Sequence, residues 1–396
     1  MHEDGNGIMR NAPTVAHVME CYLGATETFV HEYLAAFTRV RPIVLARRFE
    51  NLDRFPLPRE AALLRSAPRR GSPRWMAGAL RRRLRGGQPH HLLYTEHLLR
   101  REKARLMHAH FGPAGAELID VKQRTRLPLV TSFYGYDASM EPFVEQMRDR
   151  YRRLFDIGDA FLVEGPAMKA RLESLGCPRS RLRIQRIAID PSRIRFGERR
   201  DPGSGPVKLL ACGRLVEKKG FDTLLSALAQ VRRSDKRLQL RLVGDGPLRP
   251  RLEQSIADLD LKDSVTLVGA LPRGAWLEEM AASHIYVQPS RTGADGDSEG
   301  GAPTALLEAQ ASGAPIAATR HADIPFVVRE GDSALLSDEA DAGGLAASLA
   351  RLASEPARWG TMGRAGRAFI EEHHDVRRLA TELEIFYAGL AETGKV

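Results

Sequence analysis

Short apolar runs alternate along this chain with longer stretches of helical period. In the first half the runs are TVAHVME at 14–20, PIVLA at 42–46, LMHAH at 106–110, LPLVTSFYG from 127, DAFLVEG from 159 and RLRIQRI from 181. Helical patterns follow from 27, with Thr26 as a candidate N-cap, then from 113, over 142–155 and from 166. Strand-like runs separated by roughly ten to fifteen helical residues predict a parallel sheet with helices on both faces. A segment rich in Pro, Gly, Ser and charge, 190–206, reads as a linker. The alternation then restarts with VKLLACG, LQLRLVG, SVTLVG, HIYVQPS, APIAAT and SALLS, and 376–390 is a strongly amphipathic helix. A chain of 396 residues exceeds what one core supports. The expected fold class is therefore α/β, with two doubly wound Rossmann-like domains at 1–195 and 207–375, a linker at 196–206 and a C-terminal helix at 376–396.

Composition narrows the class. Hydrophobic content of 43% with 28% charged residues is that of a globular protein, and no run approaches the roughly eighteen apolar residues of a membrane span. The first residues lack the apolar core of a signal peptide, and Cys21, Cys177 and Cys212 are odd in number and not in metal spacing. The expected location is cytoplasmic. Charge is uneven: residues 1–200 carry 36 Lys+Arg against 22 Asp+Glu, and 39–105 alone carries 18 against 5. That stretch reads either as a solvated, arginine-biased surface or as a face for anionic lipid headgroups, where the peptide at 73–87, with Trp75, Met76, Ala79, Leu80 and Leu84 near one side, resembles an interfacial helix. Few aromatics and no recognisable motif argue against nucleic acid.

Ligands of doubly wound sheets sit at the carboxyl ends of the strands. That rule puts Gly24, His110, Phe111, Gly112, Tyr134, Gly135, Asp137, Glu164 and Gly165 on one rim. His110 there is either a general acid/base or a capped loop histidine. On the other rim Arg214 and Lys219, flanked by Gly213 and Gly220, are two cations in the loop after the first strand of the second half, a pair suited to a diphosphate. The stretch PSRTGADGDSEGGAPTALLEA runs from a strand through an acidic, glycine-rich loop into a helix. Pro303 is expected at its first helical position, with the Thr304 and Ala305 amides free for phosphate oxygens. Gly244 to Pro247 lacks the third glycine of a dinucleotide loop, and Asp295, Asp297 and Glu299 open like a calcium loop whose twelfth position is Leu306 rather than Glu. No metal site is expected.

In combination these residues resemble the retaining glycosyltransferases of family four, with the GT-B fold, over nearly the whole chain. The resemblance rests on GRLVEKKGFDTLL, LVGDGP, the shape of VTLVGAL and EGGAPTALLEAQASGAPIAAT; ETFV, HAHFGPAG, TSFYGYDAS, VEGPAMKARLESLG and IQRIAIDPSRIRF look like the subset that builds exopolysaccharides of colanic-acid type. It implies two domains facing across a cleft, with a terminal helix that can return to the first. It also implies a nucleoside-diphosphate sugar as donor, a glycan acceptor, usually lipid-linked, and no bound metal or other cofactor. Carried over residue by residue, Arg214 and Lys219 match the diphosphate pair and Glu308 the ribose glutamate. Glu299 matches the glutamate near the donor sugar, and Gly24 the loop approaching donor and acceptor. Gly213, Gly244, Gly300, Gly301, Ala302, Pro303 and Thr304 complete the donor side; His110, Tyr134, Asp137 and Glu164 form the acceptor or sugar side. Arg214, Lys219 and Glu299 would carry catalysis. The chain departs from the pattern in three places: eight residues separate Glu299 from Glu308, one more than the family's usual spacing; Tyr134 stands where many relatives carry histidine; and Ala188 replaces a common glycine. An epimerase or phosphorylase of the same fold, or a non-catalytic nucleotide-sugar-binding subunit, are the alternatives.

Overall fold

In the computed structural model, the described residues are 12–24, 28–53, 55–57, 61–65, 71, 72, 76 and 90–393. The first apolar runs form β1 (Thr14–Tyr22), β2 (Arg41–Phe49), β3 (Ala62–Arg65), β4 (Ala104–His110), β5 (Leu129–Ser132), β6 (Ala160–Val163) and β7 (Leu182–Ile184). They pair in parallel in the order β3-β2-β1-β4-β5-β6-β7. Every position of β5 and β6 is buried, as a sheet covered on both faces requires. The covering helices are α1 (Thr28–Ala36), α2 (His90–Arg101), α3 (Gly112–Thr125), α4 (Tyr136–Ser139), α5 (Glu141–Ile157) and α6 (Pro166–Ser174).

The second unit repeats the plan. Its strands β8 (Val207–Cys212), β9 (Leu238–Val243), β10 (Val265–Gly269), β11 (Ile285–Gln288), β12 (Ile316–Thr319) and β13 (Ala334–Ser337) are ordered β10-β9-β8-β11-β12-β13, again parallel. Its helices are α7 (Phe221–Val231), α8 (Arg249–Asp258), α9 (Arg273–Ala282), α10 (Thr304–Ala311), α11 (Ala342–Ser354) and α12 (Trp359–His373). Strand order reverses between β1 and β4 and between β8 and β11, and these two switch points, where such sheets bind ligands, face one another.

The last helix, α13 (Val376–Thr393), crosses back to the first unit. Glu384 Oε1 accepts N–H bonds from Thr38, Arg39 and Val40 at 2.8, 2.5 and 3.0 Å, satisfying the chain end before β2. Tyr387 Oη lies 2.6 Å from His108 Nδ1. A second fastening joins the units at the cleft: Asp323, after β12, accepts from the Ala167 and Met168 amides at the start of α6, at 2.7 and 3.5 Å.

The basic stretch 39–105 carries regular elements that the apolar pattern did not predict: β2 extends to Phe49, β3 adds an edge strand and α2 fills 90–101. β3 is four residues long and half exposed, and α2 hides its apolar stripe (Leu92, Leu98, Leu99) among histidines and arginines, so neither stood out as a period. The Thr26 cap and most of the helix expected over 73–87, including Trp75, Ala79, Leu80 and Leu84, lie outside the described residues; Met76 is exposed.

Candidate active site

The cleft between the units encloses about 1410 Å³ and is lined from both sides. From the second unit come Gly213, Arg214, Lys218, Lys219, Arg273, Glu299, Ala302, Pro303, Thr304, Ala305 and Glu308. Phe29, Phe111, Tyr134, Tyr136 and Glu164 face them from the first.

Pro303 is the N-cap residue of α10 rather than its first helical residue, with φ −59° and ψ 130° and no side-chain cap. Proline cannot continue the strand-side ladder and its extended ψ turns the chain into the helix one residue later. The first intrahelical bonds are made by the Leu306 and Leu307 amides to the Pro303 carbonyl, which leaves the Thr304 and Ala305 N–H groups open toward the cleft. The rest of α10 is buried, so only its N-terminal end, the positive end of its dipole, meets the cleft. Arg214 is exposed beside it, and its guanidinium is bonded to no described side chain.

Lys219 is not free. Its ammonium bonds both oxygens of Glu299 at 2.8 and 2.7 Å, and Ser290 Oγ donates to the same carboxylate at 2.6 Å. Burial pushes the Glu299 carboxyl upward, but Lys219, then Lys218 and these hydrogen bonds outweigh it and hold it below the usual range, so it is ionised. The Glu299 amide donates to His321 Nε2 at 3.1 Å, and His321 Nδ1 lies 2.7 Å from Glu339, which fixes the segment from behind. Lys218 bonds Asp297 at 3.0 Å and the Ser298 carbonyl at 2.9 Å. The acidic loop is thus clamped by the two lysines, and it turns sharply at Gly300. That residue has φ +79°, and a Cβ there would lie 2.3 Å from Gly135 Cα.

Glu308 is 4% exposed and accepts from Trp276 Nε1 at 2.7 Å and from Arg273 Nη1. Both partners stand on one face of α9, three residues apart. A buried carboxylate so fixed, open to the cleft on its remaining lone pairs, is an acceptor for vicinal hydroxyls.

On the opposite wall the four residues expected on the acceptor or sugar side separate. Tyr134 and Glu164 line the cleft. His110 stands behind Tyr134, with Nδ1 2.7 Å from the Tyr134 hydroxyl and Nε2 3.0 Å from His17 Nδ1, and burial pushes its pKa down to about 3. It stays neutral and reaches the cleft only through Tyr134. Asp137 is fully buried and accepts from the amides of Gly112, Tyr134 and Gly135 at 2.9 to 3.1 Å, so it shapes the rim rather than touching a ligand. Gly24 follows β1 on the same rim, and residues 25–27 beyond it are outside those described. Gly244, at φ +135°, packs against the Gly213 carbonyl and does not face the cleft. Phe111, between Tyr134 and Tyr136 at ring distances of 5.0 and 5.6 Å, has φ +71°, a strained backbone for a non-glycine residue at a ligand cleft.

Arg273, Trp276, Lys218, Ser290, His321 and Glu339 were not singled out in the sequence. The spacing of Arg273 and Trp276 on one helical face was visible; that Glu308 packs against that face was not.

Two family profiles cover most of the chain: "Glycosyltransferase Family 4" matches residues 26–193 and "Glycosyl transferases group 1" matches residues 206–355. The amylovoran biosynthesis glycosyltransferase AmsK of Erwinia amylovora is 34% identical over 281 residues, 69% of each chain. WcaL of Salmonella typhimurium, named for colanic acid biosynthesis, is 34% identical over 244 residues, 61% of this chain and 60% of its own. Among solved structures, HepE of Anabaena in complex with UDP superposes with a TM-score of 0.78 at 16% identity, over 95% of this chain and all of the other.

Proposed function

The chain belongs to the family-four glycosyltransferases, with the GT-B fold, and we propose that it builds an exopolysaccharide by moving a hexosyl unit from a nucleoside-diphosphate sugar to a glycan acceptor. One observation carries this reading: the open Thr304 and Ala305 amides, Arg214, Lys219 and the fixed carboxylate of Glu308 line the same cleft. Amides at a helix N-terminus with two cations suit a diphosphate, and a fixed carboxylate suits a ribose. HepE, of the same fold, is seen with UDP.

The reaction replaces the C1–O bond to the diphosphate with a C1–O bond to the acceptor. In our reading attack comes from the face the diphosphate leaves, so configuration is retained, and a departing phosphate oxygen takes the acceptor proton. Arg214, Lys219 and the α10 dipole neutralise the growing phosphate charge without a metal. Glu299, held by Lys219 and Ser290, lies near the transferred sugar. The acceptor is lipid-linked, and the Arg-rich stretch 39–105 rests on the anionic cytoplasmic face of the membrane. No described helix is long and apolar enough to cross one.

The reading is tested by a thermal-shift screen of UDP- and GDP-linked hexoses with chelator present, followed by detection of released nucleoside diphosphate. A stabilising sugar nucleotide that is then consumed supports it; no shift with any member of the set contradicts it.

A further inference from the structure

Glu164 ends β6 at the floor of the cleft. It is 7% exposed and lines the cleft, and among the described residues its carboxyl has no hydrogen-bond or ion-pair partner. A carboxyl that lines a cleft without a protein partner is open to the polar groups of a ligand there. The groups that face it are mostly acidic: Asp137 from α4, Glu299 from the loop after β11 and Asp323 from the loop after β12, with Lys218 from the loop after β8 the opposing cation. Tyr33 of α1 and Tyr134 after β5 are the neutral ionisable neighbours, and both feel its charge. Burial first, then Asp323, Asp137 and Glu299, raise Glu164 well above the usual carboxylate range, with Lys218 too weak to reverse it. Burial and those neighbours favour the protonated form of Glu164, which has one O–H to give.

Its carboxyl lies against the segment that leads into α10. Gly301 passes so close that a Cβ there would lie 1.4 Å from Glu164 Oε2. From Gly301 to Thr304 is three peptide steps, a span of at most about 11 Å. A diphosphate seated on the Thr304 and Ala305 amides would place its sugar within reach of Glu164, and Glu299 and Tyr134 line the same cleft.

We propose that Glu164 touches the transferred sugar as a hydrogen-bond donor, giving its carboxylic O–H to a ring hydroxyl of a neutral hexosyl group. This rests on the donor site proposed above. No bond to the protein forms and the proton stays on Glu164; the hydrogen bond orients the sugar for transfer. Glu299 beside it favours a neutral sugar, since a glycuronosyl carboxylate would meet the like charge of that ionised carboxylate.

The test uses the full chain and hydrolysis of UDP-glucose, or of GDP-mannose if the uridine sugar is not consumed, with UDP or GDP binding measured separately. Glu164→Gln keeps an N–H donor of the same shape. It is expected to hydrolyse within about threefold of the wild type at pH 7, and to hold that rate at alkaline pH where the wild type loses its proton and slows. Glu164→Ala is expected to lose roughly tenfold or more in kcat/KM with nucleotide binding unchanged. The proposal is overturned if Glu164→Gln is as impaired as Glu164→Ala, the result for a general base, or if Glu164→Ala hydrolyses normally. Absence of nucleotide binding by the wild type would instead overturn the donor site itself.

Discussion

Lys219 meets the cleft already paired, and Glu299 sits where an anion would. An incoming diphosphate must share that ammonium with the carboxylate, whereas Arg214 is available outright. In the proposed donor complex the two cations would differ in role: Arg214 would add charge to the donor, and Lys219 would tie the phosphate end to the sugar end through Glu299. Glu308 is fixed differently, by an indole N–H and a guanidinium from α9. Trp276→Phe removes the 2.7 Å bond to Oε2 and leaves a buried carboxylate oxygen unsatisfied. A loss of about 1–2 kcal/mol in UDP or GDP affinity is expected by titration calorimetry, about five- to thirtyfold in Kd; an unchanged Kd would remove Glu308 from the ribose site.

The elements differ in how far the sequence disclosed them. β5, β6, β11 and β12 are buried on both faces and read directly as apolar runs. β3 and α2 did not, because an edge strand and a helix packed on one side carry too few apolar positions among arginines. The donor half of the site was legible because its residues stand in short local motifs at strand ends: GR and KK after β8, and the α10 N-terminus after β11, the strand beside β8 in the sheet. The partners that set their geometry were not, since Trp276, His321 and Glu339 reach Glu308 and Glu299 only through tertiary packing. His110 shows the same limit, for its place on the rim was readable but the Tyr134 hydroxyl in front of it was not. α13 is a further example: its amphipathicity predicted a helix, and only the fold shows Glu384 satisfying three amides of the other unit. Glu384→Ala leaves those amides without their acceptor and is expected to cost about 3 kcal/mol, at about 1 kcal/mol each. Urea denaturation checks this, and a change under 1 kcal/mol would show that α13 is not fastened there.

For the molecule as a whole, two properties follow from charge. His17, His108 and His110 are stacked in the core of the first unit and all held below their ordinary pKa of 6.5, first by burial; for His110 the value is about 3. Because the folded values are depressed, the unfolded chain binds more protons between pH 6.5 and the folded values. Stability is full above pH 6.5 and falls as pH drops toward 3, by about 1.4 kcal/mol per pH unit for each histidine. Urea midpoints at pH 7.5 and 5.5 should differ accordingly, and equal midpoints would mean the cluster is charged in the fold. The basic stretch 39–105 predicts binding to vesicles containing anionic lipid that weakens from 50 to 300 mM salt, on the order of tenfold or more; flotation independent of lipid charge would remove the membrane-facing assignment.

The central claim is that the cleft holds a diphosphate between Arg214, Lys219 and the start of α10. The most direct measurement is steady-state release of nucleoside diphosphate from the sugar nucleotide by wild type, Arg214→Ala and Lys219→Ala. Each substitution is expected to lower kcat by roughly 10²- to 10³-fold with the fold intact by circular dichroism. Near-normal turnover in both variants would contradict the account.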